Sequence, residues 1–498
     1  MKFNKTSNKT STSVNLENGI AFSRNSVKRD LISIVLNSML SSSYYETEKN
    51  RIENILNIAS EVSPEFLAKL MIYVRNEGYL RSVSHLLAVK LSEEVKGSSY
   101  LRDALYRSFI RPDDLTEVLS LWNSRNSSNL PNSLRRAMKD TLEDKFTEYH
   151  ISKYQSKHSS VKLKDVVKLC RPSTKNYKTN VFKDLIEENL KPAVTAQSVN
   201  ANFTDSQRFN NYKVMLKENK LGYMALLKNI KNIIESGLTP EIKYSEFEEV
   251  INLLCDSIEN ETSVLNSKVL PFRFTQALNA LSSLEIDSII KKQIEFSLEI
   301  GFSYSSKNIN LVNPNEKVAL LLDESGSMMG RPFEIGKTMM ASMLSGLDKN
   351  NTVGYLWADN CREVELTSPF SFIKNTHEQG GGTDVWAPLD NLIQTKTYVD
   401  LIVIFTDMQM YNANNFYGIS KRKMNTKMKE YQEINPNVKL LFWNLEGYNT
   451  GTPIQLSNNI LEIAGFSDNM LQVIPKLLKD KDALVNEIDM IKLKGEKG

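Results

Sequence analysis

Five oxygen-bearing residues carry the sharpest chemical signal in the sequence: Asp323, Ser325 and Ser327 in DESGS, Thr383 in GGGTD, and Asp407 at the end of FTD. Carboxylate and hydroxyl oxygens are the ligands preferred by Mg²⁺ or a similar hard divalent cation, which usually keeps waters and a place for an outside oxygen. Asp323 ends an apolar run, and Ser325 and Ser327, with Gly326 between them, can turn both hydroxyls toward one point. Glycines 380–382 permit a sharp approach of Thr383, and the apolar run 400–406 delivers Asp407 beside Asp323. A D-x-S-x-S alone could instead be a polar cap for a helix starting near Phe333. Metal-assisted hydrolysis would want a further base or nucleophile, and this stretch offers only His377, which reads as a solvated loop residue. Ser325 and Ser327 lack a G-x-S-x-G elbow, and no G-x-x-x-x-G-K-[ST] phosphate loop is present. The residues therefore point to binding through an open coordination position, without turnover.

A second set of residues is cationic. Between Lys153 and Lys178 stand eight basic residues (Lys153, Lys157, Lys162, Lys164, Lys168, Arg171, Lys175, Lys178) against one acid, Asp165. Tyr154 and His158 lie among them and can stack or hydrogen-bond. The whole chain is nearly neutral, at +3 from 62 basic and 59 acidic residues, so the positive charge is a local patch of the kind phosphate binding needs. An exposed helix face would show the same composition. Arg75, Arg81, Arg102, Arg107, Arg111, Arg135, Arg136 and Lys139 punctuate helix starts and ends upstream. Each could equally serve as a helix-end charge or an ion-pair partner, and the adjacent Arg135 and Arg136 cannot both face one pocket. His85 sits within an apolar helix face and reads as a satisfied buried histidine.

The elements that must position these residues fall into two kinds. From about Val27 to Gly301 amphipathic helical segments of ordinary length follow one another across short polar breaks. In SPEFLAKLMIYVRNEG (63–78), Phe66, Leu67, Leu70, Met71 and Val74 repeat on one face, Ser63 can cap the start and Pro64 suits the first helical position. Similar patterns run through 27–40, 81–95, 100–110, 114–123, 130–154, 220–237, 245–258 and 288–300. So many successive helices cannot all face one small core, which favours a helix-pair solenoid over two tandem bundles. After Ser303 short apolar runs at 317–323, 352–358, 361–367, 400–407 and 438–445 alternate with helices at 333–347, 385–395, 420–432 and 470–479. That alternation predicts a doubly wound α/β sheet, whose ligands bind at the carboxyl ends of the strands.

At 498 residues the chain exceeds one ordinary core. The expected division is a disordered polar arm at 1–20, a helical domain at 21–302, an α/β domain at 303–485 and a basic tail at 486–498. Three widely spaced cysteines allow no disulfide framework, and no apolar run approaches the roughly 20 residues of a membrane span, so a reducing, cytoplasmic setting is expected.

Several separate phrases carry a family resemblance: SPEFLAKLMIYVRNEGYLRSVSHLLA (63–88), YLRDALYRSFIRPDDLTEVLSLW (100–122), LPNSLRRAMKDTLEDKFTEYHISKY (130–154) and LPFRFTQALNAL (270–281). Followed by a segment with the metal-ion-dependent adhesion site pattern of von Willebrand factor A domains, they resemble the Ro autoantigen family of TROVE-domain proteins. The resemblance implies an α-helical HEAT-like repeat ring (TROVE) and then an α/β doubly wound von Willebrand factor A domain. It implies Asp323, Ser325, Ser327 and Thr383 as direct or water-mediated ligands of Mg²⁺ or another divalent cation, and Asp407 as a ligand through water or a hydrogen bond. It further implies a noncatalytic RNA-binding protein. Small noncoding (Y-like) RNA would lie on the outer basic surface, at the 153–178 run, and single-stranded 3′ ends of misfolded RNA in the ring's hole, for whose RNA-contacting lining Arg75, Arg81, Arg102, Arg107, Arg111, Arg135, Arg136 and Lys139 are the candidates, with an exoribonuclease or another protein offering an acidic ligand as partner. Leu163 precedes Lys164 and Asp165 where several relatives have a His, a departure within the surface implied to hold Y RNA. The competing reading is a metal-dependent protein-interaction scaffold without a direct RNA role.

Overall fold

A computed structural model describes residues 12–14, 20–22, 26–37, 48–95, 97–126, 129–155, 159–191, 203–309, 315–364, 368–382, 386–408, 423–445, 459–464, 470–480 and 482–494. The chain divides into two compact units, one of residues 26–198 with 480–498, the other of residues 1–25 with 199–479.

In the first unit the apolar periodicity becomes helices as the pattern requires. Pro64–Asn76 starts with Ser63 Oγ accepting from Phe66 N (3.2 Å), and Phe66, Leu67, Leu70, Met71 and Val74 are all buried. This helix packs on Arg81–Glu94 and on Ser99–Ser108; Arg81–Glu94 also packs on Pro112–Arg125, and Ser99–Ser108 on Asn132–Asp144. Packing on both the next helix and the next but one is the stacking of a helix-pair solenoid. The single helix expected over 130–154 is two, Asn132–Asp144 and Glu148–Lys153. The break has a cause: Lys145 reaches out to the carbonyls of Tyr106 and Phe109 at the end of Ser99–Ser108, and Thr147 caps a new start. Where a basic tail was expected, Ala483–Asp489 is a helix burying Leu484 and Ile488 against Pro64–Asn76 and Val27–Asn37. Asp489 pairs with Lys28 (2.8 Å), and Arg107 donates to the Lys492 carbonyl (2.6 Å).

The second unit contains a two-stranded antiparallel pair, β1 (Thr12–Val14) and β2 (Ile20–Phe22), where a disordered arm was expected. Its helices run Asp205–Lys217, Tyr223–Gly237, Tyr244–Glu259, Glu261–Ser267, Pro271–Ser282 and Ser288–Ser306. The last two pack on Arg331–Gly346 of the α/β segment. Phe302 meets Phe370 edge-on at 5.5 Å, and Lys374 pairs with Glu295 at 2.9 Å. The helices after residue 203 thus share a compact unit with the sheet.

The sheet consists of β3 (Val318–Asp323), β4 (Thr352–Trp357), β5 (Cys361–Glu363), β6 (Leu401–Thr406), β7 (Lys439–Asn444) and β8 (Ile460–Ala464). Its order is β5-β4-β3-β6-β7-β8, parallel except for the β4–β5 hairpin. One face buries Leu321, Trp357, Ile404 and Phe442 under Trp386–Gln394 and Lys423–Ile434. The other carries Arg331–Gly346, where Gly336 lies so close to Leu322 that a Cβ would collide. The sheet is doubly wound, and its order reverses between β3 and β6, the switch point where such sheets open a crevice at their carboxyl ends. No described helix is long and apolar enough to cross a membrane.

Candidate metal centre and candidate nucleic-acid surface

β3 and β6 are buried along their whole length and run in register, so their carboxyl ends deliver Asp323 and Asp407 to the switch point with both side chains fully buried. Thr406 Oγ1 donates to Asp323 Oδ2 (2.7 Å), and Ser325 N donates to Asp323 Oδ1 (2.9 Å), which fixes the carboxylate. The next turn brings the Ser325 and Ser327 hydroxyls to 3.4 Å from each other. Burial first, and then the negative charge of Asp407, push the Asp323 carboxyl well above the usual carboxylate range; the Ser325 and Thr406 hydrogen bonds pull it back only in part. Two buried carboxylates set together are costly unless a cation neutralises them. The donor set therefore fits a hard divalent ion. No group of three or more His, Cys, Asp or Glu side chains able to hold a metal occurs among the described residues, so hydroxyl oxygens must complete any shell here.

Thr383 lies outside the described residues, but the glycines before it do not. Gly380 and Gly381 adopt φ of 72° and 94°, in the left-handed region glycine favours. Gly380 N donates to Glu324 O (3.1 Å), and Gly326 N donates to Gly381 O (3.4 Å), so the two loops are joined through their backbones. Four contributors escaped the sequence reading: Thr406, buried Glu324 and its two-pronged partner Arg362 (3.2 and 2.7 Å), and Asp359. Thr406 was visible as the T of the T-D pair ending an apolar strand; the others depend on the β4–β5 hairpin folding back. His377 is exposed, as expected.

The cationic candidates separate into two groups. Arg75 corrects the expectation for it: it is 4 % exposed and bonded to Asp114 (2.9 Å), because it lies on the buried side of its helix, so it offers no surface to a ligand. Asp114 is a hub, accepting also from Arg81 Nε (3.2 Å) and lying 3.0 Å from Nε2 of buried His85. Burial alone would raise the Asp114 carboxyl; the His85 bond and the Arg75 charge overcome it and hold the group far below the usual range. Arg81 and Arg111 each bond Asp113, Arg102 grips Asp140 at 2.5 and 2.8 Å, and Arg107 holds the Lys492 carbonyl. Arg111 also covers the Tyr154 ring at 4.7 Å.

Of the remaining cations, Arg135, Arg136, Lys139, Lys164 and Lys168 lie on two packed helices, Asn132–Asp144 and Leu163–Cys170, the second flanked by Lys162 and Arg171, and Lys153 ends the helix Glu148–Lys153. The charges of Arg135 and Lys139 reach Cys170, whose thiol burial nonetheless pushes up to about 12. Arg136, Lys153, Lys168 and Arg171 are exposed, as are Lys175 and Lys178. Lys153 lies over the rings of Tyr149 (5.7 Å) and Tyr154 (5.5 Å). Lys162 is half-buried, Lys139 approaches Glu143 at 3.9 Å, and Lys164 pairs with Glu188 at 2.5 Å. Among the described residues, Arg136, Lys168 and Arg171 have no acidic partner. Lys157 and His158 lie outside the described residues.

The chain matches the family model of the TROVE domain over residues 23–208 and 204–343. No curated protein sequence matches it. Among solved structures it is similar to the RO (RSR) protein of Deinococcus radiodurans, at 15 % identity and a TM-score of 0.60, over 90 % of this chain and 99 % of that one.

Proposed function

From the premise that this chain belongs to the Ro family of TROVE-domain proteins, we propose that it is an RNA-binding protein that holds RNA by its phosphates on the surface formed by helices Asn132–Asp144 and Leu163–Cys170. One observation carries this reading: Arg136, Lys168 and Arg171 stand exposed on neighbouring helices without acidic partners among the described residues, whereas Arg75, Arg81, Arg102, Arg107 and Arg111 are held by carboxylates or a carbonyl. Unneutralised, clustered cations are what phosphate binding requires, since each contact releases a counterion from the nucleic acid. Tyr149, exposed beside Lys153, adds a ring on which an unpaired base can stack. In the family frame this surface takes a small noncoding, Y-like RNA. Single-stranded 3′ ends of misfolded RNA enter the hole that the family's helical repeats enclose, which gives the protein a part in cytoplasmic RNA quality control beside an exoribonuclease.

The metal centre supports a complementary role. With Mg²⁺ bound, Asp323, Ser325 and Ser327 would hold the ion, with Asp407 behind them, and the ion supplies a positive point for an acidic group of a partner protein. The chain's own residues prepare that site: Thr406 and the Ser325 amide orient the Asp323 carboxylate, and the paired hydroxyls face the same turn. The Ser325 and Ser327 hydroxyls lie 3.4 Å from each other, and the centre is read as a binding site, not a catalytic one.

RNA affinity measured against salt tests the first reading. Wild-type protein should lose affinity steeply as salt rises, and Lys168→Glu with Arg171→Glu should flatten the log–log slope by about two. A slope near zero for wild-type would leave the scaffold reading in its place.

A further inference from the structure

We propose that Asp359 is a positioning residue of the metal centre: its carboxylate, carried on the β4–β5 turn, latches the glycine loop 380–382 against the loop that bears Asp323, Ser325 and Ser327. The inference rests on the metal-binding reading of those residues. Gly382 N donates to Asp359 Oδ2 at 3.1 Å. A Cβ on Gly381 would come within 2.6 Å of Asp359 Oδ2, and one on Gly382 within 2.5 Å of Oδ1, so both carboxylate oxygens lie against bare backbone. That contact gives the run of glycines a second purpose beyond its turn: only residues without side chains let the carboxylate approach so closely.

The latch transmits to the metal loop through three further bonds. Gly326 N donates to Gly381 O, Gly380 N donates to Glu324 O, and Glu324 N donates to Trp357 O, two residues before Asp359. The Glu324 side chain is buried and gripped by Arg362 from the strand on the far side of the same turn. The β4–β5 hairpin therefore brackets the Asp323–Ser327 turn from both sides, with Arg362 holding Glu324 and Asp359 holding the glycines. Gly380 and Gly381 have more backbone freedom to lose than any other residue type, so without the latch that ordering cost falls on metal binding.

The protein of 498 residues is titrated with Mn²⁺ by calorimetry, and exchange of the 380–382 amides is followed in metal-free protein. Asp323→Ala should abolish binding. Asp359→Ala should weaken it about tenfold, the effect of one hydrogen bond, and should speed exchange of the glycine amides without changing the melting temperature of the metal-free protein. Asp359→Asn retains an acceptor oxygen and should restore most of the affinity. Wild-type protein that binds no Mn²⁺ would overturn the metal reading and this inference with it. Tight binding by wild-type that is unchanged in Asp359→Ala, or unchanged exchange of the glycine amides, would overturn the latch and leave the metal centre standing.

Discussion

Replacing Asp114 by Asn alters almost nothing in shape and should cost the first unit much of its stability. Asp114 is fully buried. Its Oδ2 accepts from Arg75 Nη2 and from the backbone amides of Ile110 and Arg111, each at 2.9 Å; its Oδ1 accepts from Arg81 Nε at 3.2 Å and faces His85 at 3.0 Å. A carboxamide must point its NH₂ at one of these two sets of donors, whichever way it is turned. Arg75, itself 4 % exposed, then keeps a buried charge without a counterion. Breaking such a pair costs about 3–5 kcal/mol, while the share of Arg81, a third exposed, is small because water screens it. For a unit of this size each kcal/mol moves the melting temperature by about 2–4 °C, so a fall of roughly 6–20 °C is expected by calorimetry. Adding Arg75→Met to Asp114→Asn removes the stranded charge and should return part of the loss, a coupling that a double-mutant cycle reads directly. A loss below about 1 kcal/mol for Asp114→Asn, or strict additivity with Arg75→Met, would refute the account of Asp114 as a hub.

The same hub sets the acid response. Because the folded-state value of Asp114 is depressed, its stabilisation is complete above the unfolded value of about 3.9 and is lost as pH falls through and below it. Unfolding followed by circular dichroism between pH 5 and 2 should therefore show a slope that flattens in Asp114→Asn. Arg102→Ala and Lys168→Ala should separate structure from binding: the first loses the Asp140 grip with little change in RNA affinity, the second loses affinity with little change in melting temperature. Equal effects of the two on RNA retention in filter binding would contradict the division of the cations drawn above. Gly381→Ala combines a left-handed φ with a Cβ pressed on Asp359, and should weaken Mn²⁺ binding at least tenfold by calorimetry. Unaltered affinity would show that the glycine geometry does not bear on the centre.

The sequence by itself determined what depends on neighbours along the chain. Helical periodicity placed Phe66, Leu67, Leu70, Met71 and Val74 on one buried face, and the Ser63 cap follows from three residues of local geometry. Unbroken apolar runs marked β3 and β6, and because each run ends in a carboxylate, Asp323 and Asp407 could be paired before the sheet was known. Weak patterns were missed for the same reason. Asp205–Lys217 buries only Phe209, Tyr212 and Leu216 and is announced mainly by its Thr204–Gln207 capping box, and β8 is five residues long. Tertiary structure alone decided the fate of each charge. Arg75 and Arg136 look alike in sequence, near helix ends beside apolar residues; one meets a carboxylate 39 positions away and is buried, the other meets solvent. Which side chain finds a counterion depends on contacts between helices, and those are set by packing at long range that no local spacing records. The same holds for Asp359, whose role exists only because a short antiparallel hairpin returns it to glycines more than twenty residues further on.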